Sequence, residues 1–205
     1  MLAAGADPHR VDASGATALS RAVREGHTEV ARLLIRAGAK PDAGRIDGKS
    51  ALAWAAERGD GDAIALLLTA GADADGAGAA APLALAACAG REAALLTLLA
   101  AGADVGCHDT DGFDPLLCAA RKDLEKGVRE LLRRGARIEA RDSAGRSALW
   151  YAADTGSRRA LPALLQSRPQ LDAGDRDGIS PLAAAAKRGD GATGERLEMA
   201  LAARL

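Results

Sequence analysis

A helix-start triplet returns along this chain with an almost fixed period: Thr17-Ala18-Leu19, Ser50-Ala51-Leu52, Ala81-Pro82-Leu83, Asp114-Pro115-Leu116, Ser147-Ala148-Leu149 and Ser180-Pro181-Leu182. The successive spacings are 33, 31, 33, 33 and 33 residues. A period of this size is the mark of a solenoid, in which each unit buries its apolar face mainly against its neighbours. Such a stack offers an extended surface rather than one enclosed pocket, which points to binding rather than catalysis.

The unit can be read residue by residue. Asp109 and Gly112 stand three apart, as do Asp12 and Gly15, Asp142 and Gly145, and Asp175 and Gly178. That spacing suits a tight turn in which Asp accepts from the backbone and Gly takes the last position. Thr17, Ser50, Asp114, Ser147 and Ser180 follow as helix N-caps, and Pro115 sits where a missing N–H costs nothing. A first helix of about two turns then carries a small residue at one phase, Ala22, Ala55, Ala86, Ala119, Ala152 and Ala185, which lets neighbouring units approach closely. Gly26, Gly59, Gly90, Gly156 and Gly189 end it, with Asp123 as the departure. The second helix carries Leu33-Leu34, Leu67-Leu68, Leu98-Leu99, Leu131-Leu132 and Leu164-Leu165 as an apolar stripe and closes on Gly-Ala in most units.

Asp12 to Leu19, the run Gly26-His27-Thr28-Glu29-Val30 leading to Leu33-Leu34, and Gly102-Ala103-Asp104-Val105 together resemble the ankyrin repeat. The resemblance covers nearly the whole chain. It implies an all-α solenoid of helix-turn-helix repeats with β-hairpin or loop fingers and a concave binding face. Phased this way, residues 1–205 form a single domain, with a partial repeat at 1–11, repeats at 12–44, 45–75, 76–108, 109–141 and 142–174, and a C-terminal capping repeat at 175–205. Met1 to Asp7 reads as the end of a repeat whose first half is absent, which leaves room for a signal or a further repeat ahead of it.

Composition narrows the function. The formal net charge of -1 gives no field to gather a polyanion, so nucleic acid is not an expected partner. No run reaches the roughly 20 apolar residues a membrane helix needs. Cys88, Cys107 and Cys118 are an odd number without CxxC spacing, which indicates neither a disulfide framework nor a zinc site and fits a reducing cytoplasm. His9, His27 and His108 fall in different repeats, with no cysteine or serine in phase to make a nucleophile and base pair. No catalytic residue, cofactor or metal is expected.

Three departures from the pattern stand out. The finger between the second and third full repeats is two residues short and has Ala81 in place of a cap, so a retracted, mobile finger is expected at residues 73–81. Its Gly76-Ala-Gly78-Ala-Ala-Ala81 approaches a dinucleotide fingerprint but lacks the preceding strand and the βαβ unit, so a plain Ala/Gly finger is the reading. Arg168-Pro169 replaces Gly-Ala in the fifth repeat, and the helix there is expected to end by proline.

Resemblance to the family implies contacts from the finger tips and from the exposed end of each first helix. The matching helix positions are Arg24-Glu25, Glu57-Arg58, Cys88-Ala89, Arg121-Lys122, Asp154-Thr155 and Lys187-Arg188, six basic residues against three acidic. That excess favours a protein partner with an acidic patch. Fingers add Ile46, Lys49, Thr110, Asp111, Phe113, Arg146, Arg176 and Ile179, with Ile46, Phe113 and Ile179 expected as exposed apolar groups beside cations. Trp150 follows Leu149 on the side expected to face the groove; Trp54 and Tyr151 fall one position later and are expected to pack between repeats. The predicted contact set is therefore Ile46, Lys49, Arg58, Phe113, Arg121, Lys122, Arg146, Trp150, Arg176, Ile179, Lys187 and Arg188.

The function expected is a monomeric, non-enzymatic protein-interaction module, one version being a bacterial inhibitor or immunity-type protein. The alternative is an ankyrin targeting segment of a larger enzyme or effector whose catalytic domain is absent from this chain.

Overall fold

A computed structural model describes residues 7–76, 80–109 and 113–203. Thr110, Asp111, Gly112, Gly78 and most of the leading partial repeat, all named above, lie outside the described residues. The chain divides into two compact units, Met1–Asp109 and Thr110–Leu205. Among the described residues each unit is built from helix pairs, and none of the helices is long and apolar enough to cross a membrane.

The first unit holds α1 (Ala18–Glu25), α2 (Thr28–Arg36), α3 (Ala51–Arg58), α4 (Gly61–Thr69), α5 (Pro82–Cys88) and α6 (Glu92–Ala100). Caps set the helix starts. Thr17 and Ser20 form a reciprocal capping box, and Ser50 accepts from the Ala53 amide. Ala81 makes no side-chain cap, as its sequence requires, and Pro82 alone marks that start. Within the unit α1 packs on α3 and α3 on α5, while α2 packs on α4 and α4 on α6. The small residues Ala22, Ala55 and Ala86 are buried at these crossings, as their phase predicts. The paired leucines divide their labour in the first repeat, whereas Leu98 and Leu99 are both buried. Leu34, Leu67 and Leu98 are buried, whereas Leu33 is 57% exposed. Each fully buried leucine contributes about 1.5–3 kcal/mol.

Fingers in this unit are short turns tied to one another. Asp12 accepts from the amides of Ser14 and Ala16 through one carboxylate oxygen, and the Gly15 amide donates to the Asp12 carbonyl. The second finger is different. Ile46 and Lys49 pair as an isolated bridge around Asp47-Gly48, both with positive φ, the geometry of a tight two-residue hairpin. Carboxylates then link fingers in series: Asp42 accepts from the Asp73 amide, and Asp75 accepts from the Asp104 amide. The Gly76 amide donates to the Asp73 carbonyl, so the shortened finger begins as a turn. Residues 77–79 lie outside the described residues. Cys88 is disulfide-bonded.

The second unit holds α7 (Pro115–Arg121), α8 (Glu125–Arg133), α9 (Ala148–Thr155), α10 (Ala160–Gln166), α11 (Pro181–Arg188) and α12 (Gly191–Ala202). Asp114, Ser147 and Ser180 cap the first helices by accepting from Leu117, Trp150 and Ala183 amides. α9 packs on both α7 and α11, and α10 packs on α8 and α9. Ala119, Ala152 and Ala185 are buried where those helices meet. Cys118, buried on α7, is disulfide-bonded too, so the expectation that no disulfide forms is corrected for Cys88 and Cys118.

Two glycine replacements keep the backbone of glycine, and the second corrects the expected end by proline. Asp123 adopts the left-handed conformation that its glycine counterparts use, with φ 57°, and its carboxylate accepts from the Arg159 and Ala160 amides at 2.8 Å each. The residue that breaks the repeat pattern thus caps the start of α10. Arg168 also turns left-handed, with φ 53°. The fifth repeat therefore ends in the glycine-like way without a glycine, and Pro169 follows a turn already made.

Candidate functional site

Three of the four aromatic side chains of this aromatic-poor protein meet in the second unit. Tyr151 on α9 is the centre. Its ring centroid lies 5.8 Å from that of Phe113 and 5.4 Å from that of Trp150, the latter pair edge to face. These arrangements suit the ring quadrupoles. Two guanidiniums flank the group. Arg121, at the end of α7, stands 4.8 Å over the Phe113 ring and 5.8 Å from that of Tyr151. Arg146, from the finger before α9, stands 5.0 Å from Tyr151 and 5.4 Å from Trp150.

Asp142 fixes this arrangement from below. Its side chain is 1% exposed, and one oxygen accepts from the amides of Ala144 and Arg146, closing the predicted Asp-x-x-Gly turn. The other oxygen accepts from the Tyr151 hydroxyl at 2.6 Å and from Arg146 Nε at 2.9 Å. Burial alone would raise the Asp142 carboxyl, but the hydrogen bonds from Tyr151 and Arg146 outweigh it and hold the group below its ordinary value. Burial, and then donation to Asp142, push the Tyr151 phenol well above its ordinary range. Burial works against the charge on Arg146, yet its bond to Asp142 leaves it raised. A buried charge is tolerated here because it is fully hydrogen-bonded.

Trp150 is held as firmly. It is 8% exposed, and its indole N–H donates to the Ile179 carbonyl at 3.0 Å. The expectation that Trp150 faces a partner is corrected: the position points into the next finger, and the indole is consumed in joining them. Ile179 is half-buried, and its amide donates to Asp175. Ile46 is likewise corrected. It is 3% exposed, because the Asp47-Gly48 hairpin folds its side chain inward and its carbonyl accepts from Trp54 Nε1.

The remaining predicted contact residues divide by charge pairing. In the first unit Trp54 carries two cations, Lys49 at 4.4 Å and Arg24 at 5.6 Å from its ring. Each has a carboxylate: Lys49 pairs with Glu57 at 2.6 Å and Arg24 with Glu25 at 3.4 Å. Arg58 is exposed and lies over Gly26, whose missing side chain leaves room for it. In the second unit Lys122, Arg176 and Lys187 are exposed, with no ion pair among the described residues. Arg188 is exposed and donates to the Asp154 carbonyl. On α8 the pattern reverses, since Arg129 pairs with Glu125 while Arg133 and Arg134 share Glu130, whose carboxyl they hold down at about 2.

Charge is therefore unequally shared. Residues 1–109 hold 10 Lys and Arg against 14 Asp and Glu, and residues 110–205 hold 17 against 14. The near-neutral total hides an acidic first unit and a basic second one. Phe113, Arg121, Arg146 and Trp150 were legible as a group from repeat phase. Asp142 and Tyr151 were not, because a turn aspartate and an inter-repeat aromatic each had a sufficient local explanation. The adjacency of Trp150 and Tyr151 in a chain with 2% aromatics was the available signal.

Helix pairs in series and short linked fingers define a helical-repeat protein. A family profile described as ankyrin repeats, in three copies, matches residues 1–77 and 83–175, and the chain belongs to the ankyrin-repeat family. Ankyrin repeats are protein–protein interaction modules and a non-catalytic fold. The match stops before α11 and α12. No curated protein matches the chain.

Proposed function

We propose that this protein is a non-enzymatic recognition module that binds an acidic surface of a protein partner through the finger and first-helix ends of its second unit. The observation that carries this reading is the convergence of Phe113, Arg121, Arg146 and Tyr151 beside exposed Lys122, in the unit where basic residues are in excess. Rings and arginines in one patch are the usual material of binding hot spots. Unpaired cations around them add association rate and selectivity. Lys187, Arg188 and Arg176 extend the basic character, whereas Trp150 supports the patch from within.

In the first unit the corresponding cations on Trp54 are matched by Glu57 and Glu25, so that cluster supports stability more than attraction. A role as an inhibitor or immunity-type protein is one form this recognition takes, with the protein acting as a monomer. Affinity capture compares the unaltered protein with a variant carrying Arg121→Glu and Lys122→Glu. Loss of one partner from the variant, with unchanged helicity, supports the reading; equal recovery of the same partner by both removes it.

A further inference from the structure

Half-buried arginines in folded proteins ordinarily satisfy their five donors, because leaving them dry is costly. Among the described residues of the second unit, Arg146 and Arg121 are half-buried. Arg146 binds Asp142 through Nε and a terminal nitrogen. Arg121 has no hydrogen-bond acceptor and no carboxylate among the described residues. What holds it is the face of Phe113 at 4.8 Å and the ring of Tyr151 at 5.8 Å. Tyr151 is itself immobilised by Asp142 at 2.6 Å. Among the described residues the guanidinium is thus oriented by groups that take none of its hydrogen-bonding capacity.

We propose that Arg121 is the preoriented anchor for a single Asp or Glu carboxylate of the partner protein, with Phe113 as its positioning residue; this rests on the recognition reading above. The fork of N–H donors matches a planar carboxylate in two-point contact, which a lysine cannot copy. Ring contact holds the guanidinium in place before the partner arrives, so less side-chain freedom is lost on binding. A side-chain carboxylate fits better than a phosphorylated group, because only exposed Lys122 adjoins Arg121 in sequence and Arg146 is already neutralised by Asp142. A dianion would want a second free guanidinium.

The probe is a short oligo-glutamate peptide at low salt, read by proton–nitrogen NMR of arginine Nε–H groups and by fluorescence anisotropy. The Arg121 signal, identified by its loss in Arg121→Lys, should lie upfield in the free protein and return downfield in Phe113→Leu as the ring current is removed. Addition of the peptide should move it. Phe113→Leu changes no charge, yet should weaken peptide binding about two- to fivefold, the size of a surface cation–π contact. Arg121→Lys should weaken it at least as much. Thermal unfolding of both variants establishes that they are folded, and Arg121→Lys retains Phe113 should Phe113→Leu fail to fold.

Peptide binding that is abolished by Lys187→Glu with Arg188→Glu but unchanged in Phe113→Leu and Arg121→Lys overturns the anchor and leaves the basic-face reading standing. Binding unaffected by any of these changes overturns both. A larger movement of the Arg121 signal with inorganic phosphate than with acetate at equal ionic strength overturns the choice of carboxylate.

Discussion

The Tyr151 hydroxyl donates to the buried Oδ2 of Asp142 at 2.6 Å, and this bond joins the helix of one repeat to the finger turn that precedes it. Tyr151→Phe keeps the ring and its packing but leaves the carboxylate short of one donor. A hydrogen bond to a charged group is worth about 1.5–3 kcal/mol. Urea unfolding should show a loss in that range, and an unchanged midpoint would mean water replaces the hydroxyl without cost.

The same pair sets limits at both ends of the pH scale. Asp142 is depressed below 3.8 in the folded state, so its stabilisation is present above that value and is lost as pH falls through the folded value. Tyr151 is raised above 10.0, so its contribution is complete below that value and is lost as pH rises through the folded value. Chemical denaturation across pH should therefore show Tyr151→Phe flattening part of the alkaline decline. A profile identical to that of the unaltered protein would contradict this.

Trp150→Ala removes a buried indole and its bond to the Ile179 carbonyl. The expected effect is a loss of about 3–5 kcal/mol in stability, seen as lower thermal unfolding temperature and loosened helix packing around α9 and α11. Retention of full stability would return Trp150 to the exposed surface.

Asp123 combines a left-handed backbone with two accepted amide bonds at the start of α10, from Arg159 and Ala160. Asp123→Ala loses the cap and keeps the strain, and should cost about 2 kcal/mol. Asp123→Gly loses the cap but relieves the backbone, so it should cost clearly less. The order of the two variants in denaturant midpoint is the test, and the reverse order would refute the cap.

Arg168 stands left-handed with no side chain benefit from that conformation among its described contacts. Arg168→Gly should stabilise by about 1 kcal/mol, the L-residue penalty less the added freedom of the unfolded chain. Equilibrium unfolding of this single variant measures it directly.

The period of 33 residues, the caps and the buried small positions were determined by the sequence alone, because each depends on spacing within one repeat or on identity at one phase. The same phase brought Phe113, Arg121, Arg146 and Trp150 together as candidates. Tertiary structure decided what each does. Burial of Ile46 turns on the two positive φ angles at Asp47 and Gly48, and burial of Trp150 on a carbonyl 29 residues away. Asp142 serves its own turn and Tyr151 at once, and only the packed structure shows the second use. Local rules act over a few residues and suffice to pair Arg146 with Asp142, four positions back, whereas the setting of Arg121 over Phe113 and Tyr151, with no acceptor among the described residues, depends on which side chains meet across repeats.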